Sequence, residues 1–226
     1  DTERNDKLFN YKRSTAEITD DTGYLYVFPG KDYVRHYKKI YERCGYKVTS
    51  KTPTQAQTTR ALRNIFPADM PDCDVVLLGY VEVLVSGAGE WQGNDDIKWK
   101  LEMINGQKVV FVGVAFSYWG NIIYSVVEML AKYCSTIIYA GKLGSLSSSD
   151  IPNATIATGD SSYVDGSLIT WNNLFKKSPL TVEGAHYTLP SVLDETAKWY
   201  NEWKEWRTPN TKMIVWDYSG SSYYQV

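Results

Sequence analysis

The run KVVFVGVAF, Lys108 to Phe116, constrains this chain more than any other stretch. An alternating strand can leave one face in water, but a strand that is apolar at nearly every position must be covered on both faces. Central strands of parallel sheets are buried in that way. After it, Ile122, Ile123, Val126, Val127, Leu130, Tyr133 and Cys134 recur at helical spacing, with Asn121, Ser125, Glu128 and Lys132 on the opposite face. That is an amphipathic helix. Ile137, Ile138 and Tyr139 then give a second short apolar run. Strand, helix and strand in this order form a right-handed crossover unit. The chain is therefore expected to be an α/β protein, a three-layer α/β/α sandwich around a mostly parallel central sheet.

The other segments fit that plan. GYLYVFPG, Gly23 to Gly30, reads as a first strand, and KDYVRHYKKIYERCG as a helix with Val34, Tyr37, Ile40 and Tyr41 inward, ending at Gly45. TQAQTTRALRNIF predicts a helix closed by Pro67, and CDVVLLGYVEVLV a strand or strand pair from Val75 to Val85. SGAGEWQGNDDIKW reads as a loop. In PSVLDETAKWYNEWKEWR, Ser191 and Asp194 are spaced as a capping box, and Trp199, Trp203 and Trp206 form a stripe typical of a packed helix face. KMIVWD is a last strand. Residues 1–22 read as a polar arm and 23–226 as one domain, with the pattern stopping one element early at Val226.

Composition excludes several classes. A net charge of −2 speaks against an extended nucleic-acid partner. No apolar run approaches the roughly 18 residues of a membrane span, and no leader pattern is visible. Cys44, Cys73 and Cys134 are far apart and odd in number, and His36 and His186 are the only histidines. Neither a metal site nor a disulfide framework is expected, and the compartment reads as reducing and cytoplasmic. Gly87, Gly89 and Gly93 do not make a dinucleotide fingerprint, and no serine-hydrolase elbow occurs. The 18 tyrosines and 8 tryptophans supply amphipathic area for interfaces or for stacking on flat ligands.

Gly141 and Gly144 bracket Lys142 just past the strand at Ile137–Tyr139, so a cation stands at the carboxyl edge of the sheet, where open α/β sheets bind ligands. Four segments, in order, resemble the nucleoside phosphorylase superfamily. VVFVGVAFSYWGNIIYSVVEMLAKYCSTIIYAGKLGSL is similar to that family's central unit and its phosphate turn, Arg-x-Gly-(Ser/Thr)-x-Gly. GAHYTLPSVLDETAKWY resembles the segment beside the base pocket, and IVWDYSGSSYYQV the strand written Val-Asp-Met-Glu. YVFPGKDYVRHYKKI is a weaker match to the first phosphate turn, Pro-Gly-Asp-Pro-x-Arg.

The resemblance implies a domain that binds a nucleoside or nucleotide, with phosphate as a possible co-substrate, no other cofactor and no metal. It places phosphate at Gly30, Arg35, Gly141 and Lys142, the nucleoside at Tyr163, Tyr187, Thr188 and Ser219, and catalytic roles on Asp217 and His186. The departures matter as much. Tyr139 stands where the family has arginine, Val34 where the first turn has its arginine, and Ser219 where the sugar-holding glutamate belongs. A lysine binds phosphate as a point charge, without the bidentate fork of arginine. Two functions follow: breakage of an N-glycosidic bond by phosphate or water, or a catalytically inactive domain used for binding or assembly. Homo-oligomers or a larger polypeptide are the expected partners. A lone histidine such as His186 is more often structural than titrating.

Overall fold

The computed structural model describes residues 14–28, 30–79, 81–82, 84–85, 89–115, 120–141, 143–146, 154–164, 166–176, 178–206 and 214–217, with backbone alone at 192, 204–206 and 214–217. Two compact units divide the chain, Asp1–Gly141 and Lys142–Val226.

The first unit contains β1 (Thr15–Thr19), β2 (Thr22–Tyr26), α1 (Lys31–Arg43), α2 (Gln55–Arg63), β3 (Val75–Gly79), β4 (Gln92–Gly93), β5 (Ile97–Ile104), β6 (Gln107–Val114), α3 (Ile122–Leu130) and β7 (Thr136–Ala140). Its main sheet has the order β4-β5-β6-β3-β7. β6, β3 and β7 are parallel, as the crossover pattern predicts. β4 and β5 are antiparallel additions, so the sheet is mixed and not mostly parallel. The cause is local: Asn105 and Gly106 take φ of 52° and 80° between the paired residues Ile104 and Gln107. An Asn-Gly turn with both residues left-handed matches strand twist and closes a two-residue hairpin.

β6 explains its own composition. Val110, Val112 and Val114 are fully buried toward a core shared with Tyr33, Leu62, Ile122, Val126 and Leu130. Val109 and Phe111 point the other way, toward Val81 and Trp91. Burying each such side chain contributes about 1.5–3 kcal/mol, so both faces favour the apolar run. In α1 the buried residues are Asp32, Tyr33 and His36, while Tyr41 is exposed, so the helix is turned from the expected face. α2 begins with a reciprocal capping box between Thr54 and Gln57. The expected first strand is β2, paired with β1 in a separate exposed hairpin and not in the main sheet.

The second unit contains β8 (Gly144–Ser145), β9 (Ala157–Thr158), β10 (Ser161–Val164), β11 (Ser167–Thr170), β12 (Val182–Glu183), β13 (Ala185–Thr188), a 3₁₀ turn (Val192–Asp194), α4 (Ala197–Trp206) and β14 (Ile214–Asp217). Its sheet, β11-β10-β13-β14-β8, is also mixed: β10, β13 and β14 are parallel, and β11 and β8 are antiparallel edges. Gly166, at φ 79°, lets the chain reverse from β10 into β11. α4 starts later than the sequence suggests. Thr196 Oγ1 accepts the Trp199 N–H at 3.1 Å, whereas Ser191 Oγ accepts that of Leu193 in the preceding turn. Trp199 and Trp203 do form a packed helix face, against Tyr163 and Tyr187. No helix among the described residues is long and apolar enough to cross a membrane.

Candidate functional site

In the second unit, three parallel strands end together at Val164, Thr188 and Asp217. Register places Val164 beside Thr188, and Thr188 beside Asp217. This carboxyl edge is where parallel strands present ligand-binding groups. Thr188 is 3% exposed and carries a hydroxyl that can both donate and accept, and the backbone of Asp217 stands at the neighbouring position.

The two faces of β10 and β13 divide the remaining sequence-predicted residues. Side chains alternate along a strand, so Ser162, His186 and Thr188 lie on one face and Tyr163 and Tyr187 on the other. On the first face Ser162 Oγ and His186 Nδ1 are 3.0 Å apart, at 0% and 8% exposure. His186 is thereby oriented by a buried hydroxyl, Ser162, that belongs to no motif of the chain. The signal is one of register alone: Ser162 is the Cα partner of His186. On the second face the rings of Tyr163 and Tyr187 lie 6.3 Å apart and nearly parallel, and both contact Trp203. Their aromatic area is therefore spent, at least in part, on packing α4.

In the first unit, Gly30 stands at the N-terminus of α1, without a side-chain cap. A Cβ there would come within 3.0 Å of Ile122 and 3.2 Å of the Asn121 Oδ1, so the glycine permits close packing against the start of α3. Asp32, 1% exposed, accepts the Asn121 N–H at 2.8 Å, and Asn121 Oδ1 accepts the Asp32 N–H at 3.4 Å. The polar chain continues from Asn121 Nδ2 to Gln55 (2.9 Å), from Gln55 Nε2 to Ser125 Oγ (2.6 Å) and on to Thr59 Oγ1 (2.8 Å). Arg35 is exposed and reaches the Asp32 carboxylate at 3.8 Å. A buried carboxylate thus sits beside the glycine where phosphate was expected. An acidic residue in a first helical turn is an ordinary dipole partner, so the burial of Asp32 is not legible from its position in the chain.

Gly141 follows β7, and a Cβ on it would lie 2.6 Å from the Tyr139 ring, which would have to shift to admit one. Gly79, at the end of β3 with φ 116°, is held still more tightly, because a Cβ would overlap the Ala140 carbonyl oxygen. Lys142 and Ser219 lie outside the described residues. Among the described residues no group of three His, Cys, Asp or Glu side chains could hold a metal ion.

No family model matches the chain. The protein named oxidoreductase cns1 of Cordyceps militaris is 24% identical over 84% of this chain, and the match spans 29% of that protein's length. Among solved structures, the chain is similar to nucleoside phosphorylases and nucleosidases. The purine nucleoside phosphorylase of Toxoplasma gondii, in complex with immucillin-H, aligns at 13% identity and TM-score 0.49, over 67% of this chain and 70% of that one. A Helicobacter pylori MTAN mutant with 5′-methylthioadenosine in its active site aligns at 11% identity and TM-score 0.44, over 67% and 78%. The futalosine hydrolase mutant of the same organism aligns at 11% identity and TM-score 0.41, over 66% and 81%. Likeness at these values assigns no residue a role.

Proposed function

We propose that this chain is a nucleoside phosphorylase-like domain that binds a nucleoside or nucleotide at the carboxyl edge of β10, β13 and β14. The observation that carries the reading is the pairing of Thr188 with Asp217. Sequence resemblance assigned them to the ligand from two separate segments, and they occupy neighbouring positions at the ends of adjacent parallel strands. In this reading Thr188 hydrogen-bonds the sugar or base and Asp217 serves the sugar hydroxyls or the leaving base. If an N-glycosidic bond is broken, the base leaves with a proton and a phosphate or water oxygen takes its place on the sugar carbon. A separate proposal, resting on the sequence resemblance alone, gives phosphate to Gly30, Arg35, Gly141 and Lys142.

A second reading is a binding or assembly module without catalysis, acting as a homo-oligomer or within a larger polypeptide. The buried Asp32 beside Gly30 favours it, since a carboxylate opposes a bound phosphate. Tyr139 and Ser219 at charged family positions point the same way. The deciding experiment is thermal unfolding with purine and pyrimidine nucleosides and nucleotides, with and without phosphate. Ligand at roughly 100 times its Kd stabilises a binder by about 2.7 kcal/mol. A raised midpoint for one base class, abolished in Thr188→Val, is the expected result, and product analysis then separates turnover from binding. No shift with any compound overturns the nucleoside reading.

A further inference from the structure

The first register pair between β3 and β7 is Val75 with Thr136. Two residues earlier on each segment stand Cys73 and Cys134, and the Cys73 N–H donates to the Tyr133 carbonyl at 2.9 Å, so the alignment continues past the strand ends. Both side chains pack against the same helix-side core, which places them on one face of the sheet. Each is half-buried and carries a free thiol. Neighbouring strands run about 4.7–4.9 Å apart, inside the roughly 4.4–6.8 Å Cα separation that a disulfide requires. We propose that Cys73 and Cys134 are a paired modification site, closed to a disulfide by low-molecular-weight disulfides.

The chemistry balances as two exchanges. A protein thiolate attacks one sulfur of the reagent, forming a mixed disulfide and expelling one small thiolate. The second protein thiolate then attacks the protein-side sulfur of that mixed disulfide, closing the cross-link and expelling the second small thiol. Two electrons and two protons pass from the cysteine pair to the reagent. The Cys134 thiol donates to the Leu130 carbonyl at 3.6 Å, and charge on Cys134 disfavours the Cys73 thiolate. Burial pushes Cys73 up to about 11, and Cys134 is also raised but has backbone and Cys73 hydrogen bonds working to lower it. Both thiols are raised by burial, so either can attack first and the reaction is slow at neutral pH.

The test uses the full chain carrying Cys44→Ser, which removes the exposed third thiol. The folded protein is incubated with 2-hydroxyethyl disulfide between pH 7 and 9, then alkylated and mapped without reductant. Expected are a mass lower by two hydrogens, a linked Cys73–Cys134 peptide pair, and a rate rising about tenfold per pH unit. With Cys73→Ser added, Cys134 retains the reagent as an adduct. Thiols that stay fully alkylatable, or adducts on both cysteines without a linked pair, overturn the proposal. The wild-type chain, mapped in the same way, guards against misfolding of the variants.

Discussion

Replacing Gly79 by alanine tests how tightly the ends of β3 and β7 are fitted. Gly79 has φ 116°, and its missing Cβ would overlap the carbonyl oxygen of Ala140, which is its register partner on β7. An L side chain at that φ costs about 1–3 kcal/mol. The overlap adds about 1–3 kcal/mol, because a backbone carbonyl tied into a sheet cannot swing aside as a side chain does. A total of about 2–6 kcal/mol is a large share of the roughly 5–15 kcal/mol that holds a typical domain. In urea titrations with a slope near 2–3 kcal/mol/M, the midpoint should fall by about 0.7–3 M. Gly23→Ala is the control, since a Cβ there meets nothing within 4 Å and should shift stability by no more than about 0.5 kcal/mol. A Gly79→Ala midpoint indistinguishable from that of Gly23→Ala would refute the reasoning.

Trp203→Ala removes ring contacts of 4.3 Å to Tyr187 and 5.4 Å to Tyr163, and should destabilise the second unit by about 2–4 kcal/mol in chemical unfolding. Asp32→Ala leaves the buried Asn121 N–H without its acceptor, a cost of about 1–3 kcal/mol. At about 2–4 °C per kcal/mol, calorimetry should show Tm lowered by about 2–12 °C. Cys73 titrates near 11 in the folded chain, above the range of an exposed thiol, because burial disfavours the thiolate. Its contribution to stability is therefore fully present below the unfolded thiol's pKa and is lost as pH rises toward 11. Cys73→Ala should show a shallower fall in stability between pH 9 and 11 than the wild type, measured by denaturant midpoints at each pH.

The sequence was most legible where one segment carries its own signal. β6, α3 and β7 were readable because burial on two faces, or on one helical stripe, writes itself into consecutive residues. Asn105-Gly106 announces the hairpin of β5 and β6, but an apolar run on β6 suits parallel and antiparallel neighbours alike, so β5 is not legible from β6 itself. The cap of α4 was misplaced because Ser191 and Thr196 both precede the tryptophan stripe and only the backbone path decides between them. Of the candidate site, Thr188 and Asp217 come from separate segments, and their adjacency is given by the register of β13 and β14 alone. The Ser162–His186 contact and the meeting of Cys73 with Cys134 depend on which strands are neighbours and in what register, which no single segment encodes.

The position of β14 bears on how the chain is made. Among the described strands, the main sheet of the first unit has all its members once Ala140 has been synthesised, since β7 comes last in the chain. In the second unit, β14 lies between β13 and β8, so a gap stays in the sheet until Asp217 leaves the ribosome. Emerging chains fold unit by unit from the N-terminus, and pairings distant in sequence close slowly. Ribosome-bound intermediates should therefore carry a finished first unit and a second unit with an open slot between two unpaired strand edges. That slot is the surface a chaperone would need to shield, and a premature stop before Ile214 would leave it permanently open.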